Sequence, residues 1–153
     1  TDAPAARSSA FAQMYEAKDP NLAKFFAHGG KLLVWHGESD PGPAPTGTLD
    51  YAKLVMAQNP AAAQNFRVFL APGVGHCGGG PGADVLPLAE TSDAWVHTNK
   101  APESLVATKR DKSLTRLDCA WPKVAHYAGS GDANDPKSWR CVARSDAKLG
   151  ERG

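Results

Sequence analysis

An aspartate and a histidine, each placed just past a strand-like run, are the residues of this chain best equipped for chemistry. Asp40 follows KLLVWHG in the segment WHGESDP, and His76 follows NFRVFLAP in PGVGHCGGGPG. A histidine that takes a proton from a nucleophile, and an aspartate that fixes its tautomer and stabilises the imidazolium, are two of the three parts of an acyl-transfer triad. The third part is missing, because no G-x-S-x-G elbow occurs in the 153 residues. Ser39 lies at a strand end between Gly37 and Gly42, but Pro41 removes a backbone N–H that an oxyanion hole would use, and a nucleophile elbow needs small residues in a strained strand-to-helix turn. Ser130, in GSG, sits in a polar turn. Glu38 and Asp84 compete with Asp40 as the acid: Glu38 is nearer the strand, whereas Asp84 reads as a charge favoured at a helix N-terminus. Asp40 before Pro41 also has a plain reading as a turn initiator, and His76 one as an exposed loop residue. A metal site built from Asp40, His76 and Cys77 is disfavoured, since adjacent His and Cys do not readily bind one ion and no second spaced pair exists. The glycine run 78–80 lacks the following Lys-Ser/Thr of a phosphate cradle and reads as a tight turn.

Those residues need elements to hold them. Asp19 as N-cap, Pro20 at the first helical position and Gly29-Gly30 as a stop predict a short helix carrying Leu22, Phe25 and Phe26. Ser8 or Ser9 caps an earlier helix with Phe11, Met14 and Tyr15. KLLVWHG reads as a parallel strand buried on both faces, and its carboxyl end is where open α/β sheets bind ligands. PGPAPTG reads as irregular, followed by a helix capped by Thr48 with Leu49, Ala52, Val55 and Met56 on one face. NFRVFLAP reads as a second strand alternating at Phe66, Val68 and Leu70. Ala83 to Thr98 reads as a helix with Val85, Ala89, Ser92 and Val96 on one side and Trp95 beside them. The stretch between Asp40 and His76 holds one crossover helix and one strand, as a βαβ unit requires, so the fold class is α/β. His36 either lines the site or caps a strand, and His28, His97 and His126 read as surface residues. Trp35 and Trp95 read as core.

Three cysteines are an odd number. Cys119 and Cys141 flank the turn-rich GSGDANDP, which fits a local disulfide closing a loop of about 20 residues and worth about 3 kcal/mol. Cys77 is then left for a partner elsewhere. Three free thiols in a cytosolic protein are the plain alternative, whereas a bridge points to a secreted or periplasmic protein. Trp121 and Trp139 lie beside the tail cysteines and are expected to pack on that disulfide.

The composition excludes little and implies little. A formal net charge of +1, with signs alternating along the chain, gives no basis for a nucleic-acid groove or an anionic membrane surface. No apolar run approaches the roughly 18 residues of a membrane span. The opening TDAPAARSS lacks the apolar region of a signal peptide, which decides nothing about export on a chain that opens at Thr1. The length suffices for one domain burying about two-thirds of its unfolded surface, and is short for an α/β hydrolase.

Four segments in order, HGESDP, APGVGHCGGGPGAD, APESLVATK and LDCAWPKVAHYAGSGDANDPKSWRCV, resemble the C-terminal third of the tannase and feruloyl esterase family, over roughly Asp19 to Val142. The order acid then His is also that of the α/β-hydrolase triad. The resemblance implies the C-terminal portion of an α/β-hydrolase sheet with flanking helices and a disulfide-closed tail: a flanking segment over 1–18, core over 19–102 and tail over 103–153. It implies hydrolysis of aromatic, often phenolic, carboxylic esters by a Ser-Asp-His mechanism, with Asp40 as acid, His76 as base and the serine on sequence outside this chain. It maps Cys77 onto the cysteine that bridges to a partner beside that serine. It implies no cofactor here, the family's calcium site lying in a lid domain that is absent. The expected partners are a small aromatic ester and the N-terminal remainder of the same enzyme, with neither nucleic acid nor membrane. The oxyanion-hole residues are unassigned. Competing readings are a non-catalytic binding domain that keeps a remnant site, and a small unconventional esterase using Ser39.

Overall fold

The computed structural model describes residues 10–143, so the caps expected at Ser8 or Ser9 lie outside the described residues. The elements run α1 (Ala10–Tyr15), α2 (Ala23–Ala27), β1 (Leu32–Gly37), α3 (Pro45–Gln58), α4 (Ala62–Asn65), β2 (Phe66–Ala71), α5 (Leu88–Thr98), β3 (Ser104–Thr108), β4 (Thr115–Cys119), β5 (Lys123–Tyr127) and β6 (Trp139–Ala143). β1 and β2 pair in parallel from Leu32–Phe66 to Gly37–Ala71, with α3 and α4 making the crossover. β3 and β4 form an antiparallel hairpin, as do β5 and β6. The first hairpin joins the parallel pair through the bridge between Phe69 and Ala120, where Trp121 N–H donates to Val68 O at 2.8 Å. A disulfide from Cys119 to Cys141 ties the end of β4 to β6.

Alternation along the two parallel strands builds a core on each face. Leu32, Val34, Phe66 and Val68 face Phe26, Ala52, Val55 and Ala62 of the helices. Leu33, Trp35 and Phe69 face Leu86, Leu88, Leu105 and Ala120. Phe66, Val68 and Phe69 are fully buried, each contributing about 1.5–3 kcal/mol. The buried set in β2 is therefore Phe66, Val68, Phe69 and Ala71, with Leu70 only half-buried, because both faces of this strand are covered. β1 is half-buried over most of its length, and among the described residues it pairs along one edge only.

Several helix boundaries differ from the sequence expectation, each for a local reason. α2 starts at Ala23, since Asp19 and Asn21 use their carboxylate and amide oxygens on the N–H groups two residues on, Asn21 and Ala23. Its end is as expected: Gly29 has φ +79°, its N–H donates to Phe26 O, and Gly30 N–H donates to Phe25 O, the two bonds of a Schellman stop. α3 begins at Pro45, inside the stretch read as irregular, because a proline at the first helical position gives up an N–H that has no partner there. Thr48 is thus within the helix and not its cap. α5 begins at Leu88 behind Pro87, while Val85 instead bridges to Thr108. The helix is rotated accordingly: Trp95 is buried, whereas Val96 is exposed. Of the two tail tryptophans, Trp121 packs into the first core cluster, and Trp139 lies against Tyr127 with the Arg116 guanidinium over its ring.

Candidate active site

The carboxyl ends of β1 and β2 lie side by side, and the loops that leave them are laced together. Glu38 N–H donates to Ala71 O at 3.0 Å and Ser39 N–H to Val74 O at 3.0 Å, while Asp40 N–H turns back to Gly37 O at 3.1 Å. The crossing is close enough that a Cβ on Gly37 would run into the carbonyl oxygens of Val74 and Gly75. Past β2, Gly75 N–H donates to Gly79 O at 3.1 Å, closing a turn around His76. Cys77, Gly78, Gly79 and Gly80 all have positive φ, which glycine adopts without the steric penalty of a Cβ.

This lacing brings Asp40 and His76 together: Asp40 Oδ2 is 2.7 Å from His76 Nδ1. The acid is nearly enclosed and the base open, with side chains 4% and 60% exposed. Asp40 Oδ1 accepts the Gly42 N–H at 2.8 Å. The His76 hydrogen bond, opposed by burial and helped by the Gly42 N–H, holds the Asp40 carboxyl below its ordinary value, so it is ionised at neutral pH. An ionised carboxylate only accepts, so Nδ1 carries the hydrogen, and in the neutral ring Nε2 then holds the lone pair that a general base requires.

Asp40 has a second imidazole against it. His36 Nε2 lies 3.3 Å from the same Oδ2 and 3.1 Å from Pro43 O, and His36 Nδ1 lies 2.7 Å from Thr48 Oγ1. The sequence left His36 between lining and capping and gave Thr48 a different task. The only available signal was a histidine one residue before the end of a strand that leads into an acid loop.

The other candidates are placed apart from this pair. Glu38 is set toward Asp118, whose buried carboxyl is pushed up to about 7 by desolvation first and by Glu38 second. Asp84 precedes α5 and is not its N-terminal charge. Its Oδ2 accepts the Gly79 N–H at 3.0 Å and its Oδ1 the Arg110 N–H at 3.2 Å, so it tethers the glycine turn to the β3–β4 hairpin. The Gly79 bond is the main reason its carboxyl lies below the ordinary value. Ser39 and Ser130 are both exposed. Cys77 is an exposed free thiol directly after His76. His28 and His97 each donate from Nδ1 to the carbonyl four residues back, Lys24 O and Asp93 O. Among the described residues no three His, Cys, Asp or Glu side chains converge to hold a metal ion. Among the same residues no helix is long and apolar enough to cross a membrane.

A family model described as "Tannase and feruloyl esterase" matches residues 2–142. The chain is 37% identical over 133 residues to mono(2-hydroxyethyl) terephthalate hydrolase of Piscinibacter sakaiensis, covering 83% of this chain and 22% of that protein. It is 34% identical over 149 residues to feruloyl esterase B of Aspergillus niger, covering 83% and 29%. Among solved structures, feruloyl esterase B from Aspergillus oryzae matches with a TM-score of 0.71 at 24% identity, over 81% of this chain and 29% of that one. Tannin acyl hydrolase from Aspergillus niger matches with a TM-score of 0.65 at 24% identity, over 85% and 26%. These two likenesses show that the chain shares the mixed helix-and-strand fold of that part of those structures. The chain spans less than a third of the length of the relatives it matches.

Proposed function

The chain belongs to the tannase and feruloyl esterase family, and from that premise we propose that it supplies the acid and the base of a carboxylic ester hydrolase. Asp40 and His76 work with a serine carried on sequence outside these residues. The observation that carries this reading is the 2.7 Å contact between Asp40 Oδ2 and His76 Nδ1, made by a buried acid to an exposed base. In the proposed reaction His76 Nε2 takes the proton of the serine hydroxyl as its oxygen attacks the ester carbonyl, and Asp40 stabilises the imidazolium that forms. The imidazolium then returns the proton to the departing alcohol, leaving an acyl-enzyme. In the second half His76 takes a proton from water as the water oxygen attacks the acyl carbonyl, and gives it back to the serine.

Aromatic carboxylic esters are the proposed substrate class, supported by the terephthalate and feruloyl groups in the relatives' names. The N-terminal remainder of the enzyme is the proposed partner. β1 supports this, since among the described residues its second edge has no strand, and a parallel sheet is ordinarily covered and continued. The bond between Cys119 and Cys141 supports an oxidising, secreted or periplasmic location, and Cys77, a free thiol here, is proposed to pair with a cysteine on the remainder.

The test grafts this chain in place of the matching region of the Piscinibacter sakaiensis hydrolase. The chimera should hydrolyse an aromatic ester, and His76→Ala in it should cut kcat by about a millionfold. The isolated chain should hydrolyse a p-nitrophenyl ester no faster than its own His76→Ala variant. A folded chimera whose activity ignores His76 would leave the domain a binding module, and His76-dependent turnover by the isolated chain would revive Ser39 as the nucleophile.

A further inference from the structure

Asp40 Oδ2 is shared by two imidazoles, and the surroundings of the second one fix its chemistry. His36 is 12% exposed, enclosed between the acid loop and the first turns of α3. Its Nε2 faces Pro43 O at 3.1 Å and Asp40 Oδ2 at 3.3 Å. A carbonyl and a carboxylate both only accept, so Nε2 must carry a hydrogen; Pro43 O accepts it, and Asp40 Oδ2 stands beside it. In the neutral ring Nδ1 then holds a lone pair, and Thr48 Oγ1, at 2.7 Å, donates to it. The contacts form a directed chain: Thr48 O–H donates to His36 Nδ1 and His36 Nε2–H to Pro43 O, the same Nε2 stands 3.3 Å from Asp40 Oδ2 as an electrostatic contact, and His76 Nδ1–H donates to that oxygen.

We propose that His36, oriented by Thr48, is a positioning residue that holds the Asp40 carboxylate so that Oδ2 stays aimed at His76 Nδ1. Without it the carboxylate keeps, among the hydrogen bonds of the described residues, the Gly42 N–H on Oδ1 and the His76 N–H on Oδ2, and the side of Oδ2 turned to His36 loses the N–H dipole that stands 3.3 Å from it. The arrangement also anchors the acid loop to the N-terminal turns of α3, the crossover helix whose Ala52 and Val55 are buried in the core. The proposal rests on the reading of Asp40 and His76 as acid and base, since a positioning role needs something to position.

The test reads ring-nitrogen tautomers by long-range proton–nitrogen NMR on the full chain with 15N-labelled histidine, which does not depend on esterase activity. In the wild-type chain His36 should be the Nε2–H tautomer and His76 the Nδ1–H tautomer, with a low-field Nδ1 proton on His76. His36→Gln keeps an N–H near the position of Nε2 and should keep the His76 signature, whereas His36→Leu should lose the low-field proton. A folded His36→Leu chain with an unchanged His76 spectrum overturns the proposal, as does a wild-type His36 protonated on Nδ1. If His36→Leu does not fold, Thr48→Val decides. This near-isosteric change removes only the hydroxyl donor, and should turn His36 into a mixture of tautomers and weaken the His76 proton; unchanged spectra overturn the proposal. A wild-type His76 with no bonded Nδ1 proton removes the acid–base pair and the proposed function together. Conversely, activity in the chimera with a His76 signal indifferent to His36 sinks this inference alone. In an active chimera His36→Leu should lower kcat roughly tenfold to a hundredfold with KM kept.

Discussion

The protonation of Asp118 should set how the stability of this chain changes between mildly acid and mildly alkaline pH. Asp118 stands on β4 opposite Leu105 with 4% of its surface exposed, and its Oδ2 has no hydrogen-bond partner among the described residues. Desolvation, then the charge of Glu38, pushes the carboxyl from an ordinary 3.8 up to about 7. Between those two values the folded chain holds a proton that the unfolded chain has released, so stability falls as pH rises. The contribution is fully present below the unfolded value, is lost as pH climbs through about 7, and is level beyond. At 1.36 kcal/mol per pH unit the whole gap is worth at most about 4 kcal/mol, of which roughly 3 kcal/mol falls between pH 5 and pH 8. That is a large part of the 5–15 kcal/mol that holds a domain together. Asp118→Asn keeps the shape and removes the titration. Urea unfolding of both chains near pH 5 and near pH 8 should show the variant gaining roughly 3 kcal/mol relative to wild type across that interval, with the slope against urea unchanged. Other titrating groups cancel in the comparison. A difference between the two chains that stays within about 0.5 kcal/mol at both pH values would refute the argument, since the carboxyl would then titrate normally in the fold.

Opening the bond between Cys119 and Cys141, whose sequence separation is 22, should cost about 3 kcal/mol by the loop-entropy relation, read as a fall in Tm of roughly 6–12 °C on reduction; equal melting of the oxidised and reduced chains would contradict it. Gly37→Ala should force the acid loop away from the carbonyls of Val74 and Gly75, destabilising the fold by about 1–3 kcal/mol and removing the low-field His76 proton. Asp84→Ala should release the Gly79 and Arg110 N–H groups, so that hydrogen exchange at Gly79 quickens while exchange at Val68 in β2 does not. Non-reducing alkylation of the monomer should label Cys77 alone among the three cysteines, and a labelled Cys119 or Cys141 would contradict the bridge.

Local rules were enough to read the ends of the elements that carry chemistry. KLLVWHG is apolar and bounded by glycines, and GESDP and GVGHCGGG cannot continue a strand, so an acid and a histidine had to emerge at two strand ends. The Gly29 stop and the cysteines about a turn-rich tail were legible in the same way, because each depends on neighbours along the chain or on the conformations a residue type permits. The start of α3 and the rotation of α5 were not, since Pro45 and Pro87 admit either a helix start or a loop until packing chooses. Register decided the site itself. Pairing Gly37 with Ala71 sets two loops side by side and leaves no space for a Cβ between them. From that follow the shared oxygen of Asp40, the use of Thr48 to fix a histidine, the tether at Asp84 and the carboxyl of Asp118 raised beside Glu38. Each is a contact between segments distant in sequence, and its energy depends on distance, direction and exclusion of water, which residue type and spacing do not carry.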